Sequence, residues 1–539
     1  MTEREPQHSV KFIEYIAATT ACQLTNQPSK KNHKIMAFLL IAKIRGTRTS
    51  DLNKKYESHL NDNFHQFSIG INSKLYIENT GSTPQQFYRE KLGEGGRIFH
   101  FGLPVFRSDN DTSAPLAGPY ALIEEEVEKG ENTIQINTDT LGFYPVFFMD
   151  TKDSIFISDR QEFIAAIYGK SLQSDKIAIN EFCVSELING NRSFYEKIKR
   201  LGIGEKIHIS NNGITINRIT INLNIPITKE QLLTHYKEVF SSMKDTHGTM
   251  GFKLSGGYDS RLCLALYLIH FDAKDAHCIT HDTTSFDMDT AKKIAADYKI
   301  KQHFVTNDQS MKLYYQERSN NSGLDITGMC GEMCRSFYYK YSKKPDDLEH
   351  FLKQYIPLAK SFLLRKETVE FLKESVLNET ERLQLDHGVK GEFFRVFDFI
   401  YLNRTRTMFS YQMTDARNNL FPLLIDEFWF RFRLSFSFEE IQRKKPYHEI
   451  FKMLDDRISN YPFIHFSLLQ NNSKLLEISK LIRMQIHAAR KSTKPITFDE
   501  LGVMSKDVLH LINTYPYLDS NYRKVALTLK YAQDFVEIK

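Results

Sequence analysis

The sequence predicts an α/β protein in two parts: a β-rich α+β region, then a parallel-sheet region with a helical C-terminal part. Three observations carry this. Residues 66–220 hold short apolar segments separated by turn residues. From about residue 225 helical and buried-strand patterns alternate, and beyond about residue 345 the chain reads as long helices rich in Phe, Leu, Lys and Arg. Period-two segments between turns read as strands, and strands alternating with helices read as βαβ units on a parallel sheet. A chain of 539 residues also exceeds what one hydrophobic core serves, since cores stop growing near ~250–300 residues. The expected division is 1–225 and 226–539.

In the first part, 133–136, 142–149 and 154–157 read as strands. Segments 206–209 and 214–221, joined through Asn211-Asn212-Gly213, read as a hairpin that closes the region. In the second part the pattern gives a helix at 229–243, a strand at 249–254 and a helix at 259–270. A strand at 276–280, a helix at 287–298 and a strand at 302–305 follow.

A net charge of +5 from 71 basic and 66 acidic residues is too small to argue for a nucleic-acid surface. The apolar run at 36–44 falls short of the ~20 residues that span a bilayer. Residues 1–10 mix Glu3, Arg4 and Glu5 with polar residues and lead into no signal-peptide core, so a cytoplasmic location is expected. Cys22, Cys183, Cys263, Cys278, Cys330 and Cys334 follow no disulfide-framework spacing and read as reduced thiols. Cys330 and Cys334 could supply half a zinc site, but no second pair completes it.

The chemistry concentrates at the first strand-to-helix junction of the second part. Met250 to Leu254 form a plausible strand that runs into Ser255-Gly256-Gly257-Tyr258-Asp259-Ser260 and then an apolar helix. Adjacent glycines let backbone N–H groups converge on an anion, and the helix start adds a favourable dipole. Ser255 and Ser260 add hydroxyls, and a carboxylate such as Asp259 facing a polyphosphate requires a divalent cation between them, expected to be Mg2+. The same six residues also fit an ordinary connection in which Gly-Gly makes the turn and Asp259 caps the helix.

This loop resembles the SGG-x-DS signature of the asparagine synthetase family of ATP pyrophosphatases. Further stretches are similar to that family in order: Cys278-Ile279-Thr280, Phe286-Asp287-Met288-Asp289, Ala291 to Ala295 with His303-Phe304-Val305, and Thr327-Gly328-Met329-Cys330-Gly331-Glu332. The resemblance implies ATP contacts at Leu254, Ser255, Gly256, Gly257, Asp259, Ser260, Thr280, Thr327 and Gly328. It implies Mg2+ ligation by Asp259 and Glu332. It also implies a catalytic Lys, for which Lys445, Lys491 and Lys494 are candidates, with Lys445 the leading one and Lys444 beside it. Met329 stands where asparagine synthetases usually place a Glu that handles aspartate, so the resemblance does not extend to aspartate as the carboxylate. Residues 417–426 resemble the substrate-side segment.

In the first part, 141–148 and 155–159 are similar to the glutaminase-type domain that precedes the synthetase domain in this family, as is 198–207. The resemblance implies an Ntn-like sandwich. Its active form needs a Cys after the initiator Met, and residue 2 is Thr. The expectation is an inactive glutaminase-like domain, as in the β-lactam synthetases and lasso-peptide cyclases of the family. The implied reaction is adenylylation of a small-molecule or peptide carboxylate, with pyrophosphate released and the acyl group passed to an amine or ammonia. An inactive scaffold of the same fold is the alternative, and a tRNA-modifying ATP pyrophosphatase a third that the modest charge disfavours. No nucleic acid and no membrane are expected as partners, and a homodimer is compatible with the sequence.

Overall fold

The computed structural model describes residues 38–43, 64–69, 73–78, 88–90, 97–107, 115–128, 131–152, 154–168, 172–185, 188–218, 225–281, 285–305, 324–331, 334, 374, 377–378, 381, 402–407 and 420–461. It is a mixed α/β structure with two antiparallel sheets and one parallel sheet.

The first antiparallel sheet contains β1 (Phe38–Lys43), β2 (Phe64–Ile69), β3 (Ser73–Glu78), β8 (Phe147–Asp150), β9 (Ser154–Ser158) and β10 (Lys199–Arg200), in the order β10-β8-β9-β1-β3-β2. The second contains β4 (Tyr88–Glu90), β5 (Arg97–Gly102), β6 (Tyr120–Glu128), β7 (Glu131–Thr138), β11 (Glu205–Ser210) and β12 (Gly213–Arg218), in the order β12-β11-β7-β6-β5-β4. Successive side chains of a strand face opposite ways, and β1 uses both faces. Phe38, Leu40 and Ala42 share one core with Phe99, Phe101, Ile123 and Ile136 of the second sheet. Leu39 and Ile41 share another with helices α1 (Gln161–Tyr168) and α2 (Lys176–Ser185), through Phe163, Ile164 and Phe182. The sheets thus form a sandwich with helices on the outer face of the first.

The apolar run at 36–44 supplies this doubly buried strand, and among the described residues no helix is long and apolar enough to cross a membrane. The hairpin expected through Asn211-Asn212-Gly213 is β11–β12, with Gly213 at φ 116° where only glycine is relaxed. The strand expected at 142–149 is shorter than its apolar content suggested, because β8 begins only at Phe147. Residues 139–144 form a turn instead. Asp139 accepts from the backbone N–H of Phe143 at 2.9 Å and of Tyr144 at 2.8 Å, and Gly142 takes φ 62°. A buried carboxylate with two amide donors outcompeted strand pairing.

Helix α3 (Lys229–His247) opens with a capping box between Thr228 and Gln231. The parallel sheet follows: β13 (Met250–Lys253), helix α4 (Tyr258–Leu268), β14 (Ala276–His281), helix α5 (Ser285–Asp297), β15 (Lys301–Val305), β16 (Leu324–Thr327) and β17 (Leu420–Pro422). Its order is β15-β14-β13-β16-β17. Helices α6 (Glu427–Arg433), α7 (Phe438–Gln442), α8 (Lys445–Leu454) and α9 (Asp456–Asn460) complete the described chain. Most of the helical region expected after residue 345 lies outside the described residues.

One apolar core crosses from the sandwich into the parallel-sheet region, containing Phe156, Ile198 and Ile203 with Phe252, Leu264 and Phe421. Arg406, in the helical segment 402–407, is a polar clamp at the same junction. Its Nε donates to the carbonyl of Gly142 at 2.7 Å, one terminal nitrogen to the carbonyl of Leu201 at 3.0 Å, and the other to Asn403 Oδ1 at 2.7 Å. It is 3 % exposed.

Two outcomes follow from this junction. Arg406→Met takes a donor from three buried acceptors, of which the Gly142 carbonyl keeps a 3.4 Å bond from Arg200, and should lower stability by about 3–5 kcal/mol in urea unfolding. The second concerns Asp139, whose carboxyl burial pushes up to about 6, against the lowering effect of the Tyr144 and Phe143 amides and of Arg406. A carboxyl raised in the folded state stabilises most when protonated, so its contribution is lost as pH climbs from about 4 through 6. The stability of the protein relative to Asp139→Asn should fall by about 3 kcal/mol over that window, measured by urea titrations at each pH.

Candidate functional site

The strand order sets the place. β13 is hydrogen-bonded to β14 on one side and β16 on the other, and the chain reaches β16 only after completing β14 and β15. Such a reversal is a topological switch point, and ligands of open parallel sheets bind in the crevice outside the strand ends there. The loop 254–257 leaves the carboxyl end of β13, and the turn 328–331 leaves the carboxyl end of β16.

The loop is ordered by its own side chains. The backbone N–H of Ser255 donates to Ser260 Oγ at 3.1 Å, and that of Gly257 to Ser255 Oγ at 3.1 Å. The two hydroxyls lie 3.0 Å apart, and Ser260 Oγ also reaches the carbonyls of Ser255 and Gly257 at 3.3 Å. Fully buried Arg261 donates to the Gly256 carbonyl at 2.9 Å and the Tyr461 carbonyl at 3.0 Å, tying the loop to the end of α9. Gly257 caps α4 in extended conformation, φ −83° and ψ 161°, and no side chain caps that helix end. Neither loop glycine therefore supplies a left-handed turn. What Gly257 contributes is a helix start left bare, where the macrodipole favours an anion.

Asp259 points across the switch point to the other loop. A Cβ on Gly328 would stand 2.8 Å from the Asp259 Cβ, and one on Gly331 would stand 2.3 Å from its Oδ1. The two glycines thus admit the carboxylate to the end of β16. Their turn is closed by Gly331 N–H to the Gly328 carbonyl at 3.1 Å, with Cys330 in the left-handed region at φ 71°. From α8, Tyr447 Oη lies 2.5 Å from Asp259 Oδ1 and also contacts the Gly331 carbonyl. The phenol has one proton, so it serves one of the two acceptors at a time. The Thr327 carbonyl accepts from Leu423 N–H at 3.2 Å, which joins the end of β16 to the segment after β17.

The remaining expected residues divide. Leu254, 2 % exposed, donates its N–H to the Ile279 carbonyl at 2.9 Å, and its own carbonyl accepts from Thr280 Oγ1 at 3.0 Å. The same hydroxyl accepts from Gln302 at 2.9 Å, so Thr280 gives its only O–H proton to the sheet. Lys445 is the first residue of α8, is exposed, and pairs with Glu440, which lies on α7. Its neighbour Lys444 takes φ 59°, and its Nζ lies 4.3 Å from the ring centroid of Tyr258, inside the loop motif. The left-handed turn at Lys444 sends the two adjacent lysines different ways. Glu332, Lys491, Lys494, Cys22 and the side chains of Cys183, Phe286 and Asp287 lie outside the described residues, as does Thr2. Cys263, Cys278, Cys330 and Cys334 are buried free thiols, and among the described residues no group of three or more His, Cys, Asp or Glu side chains is gathered as for a metal.

Four residues had no local signal in the sequence. Tyr447 reaches Asp259 across 188 residues of chain. Lys253, the last residue of β13, is partly buried; burial holds its ammonium below the usual range while nearby Asp325 opposes this. Asp325 and His277 flank Gly251, their Oδ1 and Nε2 lying 2.4 and 2.8 Å from where its Cβ would be. Register placed these groups together: Gly251 pairs with His277 on one side and Asp325 on the other.

The two glycines at the site should respond differently to alanine. Gly331→Ala drives a Cβ into Asp259 and should cost about 1–3 kcal/mol in urea unfolding. Gly257→Ala meets only Ser255 Oγ at 3.2 Å, in a conformation any residue adopts, and should stay within about 1 kcal/mol.

No protein-family model matches the sequence, and no curated protein matches it. Among solved structures, the chain is similar to glutamine phosphoribosylpyrophosphate amidotransferase from B. subtilis, complexed with ADP and GMP, at 12% identity and a TM-score of 0.20. That likeness covers 52% of this chain and 64% of the amidotransferase, so the chain spans just under two thirds of its length. A second similar structure is described as the allosteric regulatory enzyme of purine biosynthesis, at 11% identity and a TM-score of 0.20, covering 55% of this chain and 69% of that one.

Proposed function

We propose that the chain is an ATP-dependent amide-forming ligase of the asparagine-synthetase type. The observation that carries this reading is the position of Ser255-Gly256-Gly257-Tyr258-Asp259-Ser260: it leaves the central strand at the switch point of the parallel sheet, at a helix start that no side chain caps. In this reading the loop and the start of α4 hold the phosphates of ATP, a substrate of the reaction. The Ser255 and Ser260 hydroxyls, now bonded to each other, turn outward as donors to pyrophosphate oxygens. Asp259 would hold Mg2+, with Glu332, outside the described residues, as the expected second ligand, and the metal would supply charge neutralisation on the phosphates. A substrate carboxylate attacks the α-phosphorus, the bond to the bridging oxygen breaks, and pyrophosphate leaves. An amine or ammonia then attacks the acyl carbon, AMP departs, and an amide forms after loss of the amine's proton. Positioning and electrostatics are the chain's contribution.

The nitrogen comes in free form rather than from glutamine. This rests on the expectation of an inactive glutaminase-like domain, with Thr2 in place of the Cys that such a domain needs. Lys444 beside Tyr258, or Lys445 after a rotamer change that releases Glu440, is the cation for the acyl-adenylate.

One arrangement favours the second reading, an inactive scaffold of this fold: Asp259 is already hydrogen-bonded to Tyr447, and the loop hydroxyls satisfy each other. Pyrophosphate release from Mg-ATP against a panel of amino acids, sugar acids and peptides separates the two. The ligase reading expects release with at least one carboxylate and a fall of ~100-fold or more in Asp259→Ala. Absence of release across the panel, or release unchanged in Asp259→Ala, leaves the scaffold.

A further inference from the structure

Where helix α3 meets the start of α6, a buried histidine faces a buried carboxylate. His235 and Asp426 are 6 % and 7 % exposed, and His235 Nε2 lies 2.8 Å from Asp426 Oδ2. The other oxygen of that carboxylate accepts from the Phe428 N–H at 2.6 Å and so caps α6. The imidazole also lies flat on the Phe428 ring, with centroids 3.9 Å apart and planes 3° from parallel. One histidine thus holds the first turn of α6 twice, through its capping carboxylate and through an aromatic face.

The surroundings favour a protonated ring. The charged groups facing His235 are Glu238 on its own helix, and Asp426 and Glu427 at the start of α6. Asp139 stands across a small cavity that Asp426 and Glu427 line. The nearby cations serve the outer carboxylates: Arg431 lies 3.1 Å from Glu427 Oε1, and Arg107 3.9 Å from Glu238 Oε2. An imidazolium gives Asp426 a charged donor and offers a cation to the face of Phe428, and both contacts are stronger than a neutral ring makes. Burial works against that charge, and Asp426, Glu238 and Glu427 outweigh it, so His235 keeps its proton above the usual histidine range.

What the pair fastens runs on to the candidate site. The hydroxyl of Tyr236, next to His235, donates to the Leu423 carbonyl at 3.3 Å, and the Leu423 N–H donates to the Thr327 carbonyl at the end of β16. Residues 423–428 are therefore a strap between β17 and α6, tied to α3 at one end and to the switch-point turn at the other.

We infer that His235 and Asp426 form a pH-operated latch on this strap, closed while the imidazole carries its proton and loosened when the ring becomes neutral. A histidine that holds its proton more tightly when closed than when open contributes fully below its ordinary value of about 6.5. That contribution is lost as pH rises through the higher closed-state value. The inference stands apart from the ligase reading, because it concerns the strap and not the ligand.

The test is hydrogen exchange of the full chain, read by mass spectrometry on peptides covering 423–433 from about pH 5.5 to about 8.5. That span contains the Leu423 and Phe428 amides. His235→Gln keeps a neutral donor towards Asp426, and comparison with the parent at each pH cancels the chemical exchange rate. Protection in the parent relative to His235→Gln should fall at least threefold across the range, with a midpoint above about 6.5. The same fall is expected against Asp426→Asn, which keeps the shape of the side chain and removes its charge, and this variant decides the matter if Gln at 235 prevents folding. A ratio that stays constant or rises with pH would overturn the latch and leave the pair as packing alone, and a midpoint below about 6.5 would overturn it by showing that burial outweighs the carboxylates.

Discussion

The close approach of Asp259 to Gly328 and Gly331 is the contact on which the rest of the candidate site depends. It makes the ends of two neighbouring strands one surface, and it is open only to residues without side chains. A methyl group at either glycine would part the β13 loop from the β16 turn. Tyr447 closes the third side, so a helix more than 180 residues farther on in the chain shares the same carboxylate. The arrangement explains why α8 packs where it does, with Tyr258, Tyr447 and Phe451 in one aromatic group.

Much of this was legible in the sequence because it is local. A strand, a loop and a helix adjacent in sequence gave β13, residues 255–260 and α4, and the alternating pattern that followed gave β14, α5 and β15 within a residue or two. The Asn211-Asn212-Gly213 turn was legible for the same reason: a left-handed glycine between apolar alternations has few other uses. What escaped was set by register or by distant chain. The 142–149 segment has strand composition, yet Asp139, buried and bonded to two amides, bends it into a turn that no propensity records. Thr280 reads as a ligand contact from its place near the end of β14, and the structure bonds its hydroxyl to Leu254 and Gln302. Lys444 and Lys445 cannot be told apart by spacing, and one backbone angle, φ 59° at Lys444, separates them.

The polar groups on the sheet show a different limit. Lys253, His277 and Asp325 lie on three strands far apart in sequence, and each alone looks like an isolated polar residue in an apolar run. They become a group only because Gly251 leaves a gap between the flanking strands. Sequence patterning finds faces of elements; it does not find what a missing side chain lets neighbours do across a sheet.

The shared core has a consequence for how the molecule comes apart. Residues on both sides of position 225 bury one another: Ile198 and Ile203 of the sandwich belong to the same apolar mass as Phe252, Phe421 and Trp429. Arg406 and Arg431 lace the two portions by their backbone carbonyls, at Gly142 and Leu201 in one case and Ile225 in the other. A chain severed at this point would yield two pieces each with a raw oily flank and orphaned peptide oxygens, which is the recipe for clumping rather than for separable modules.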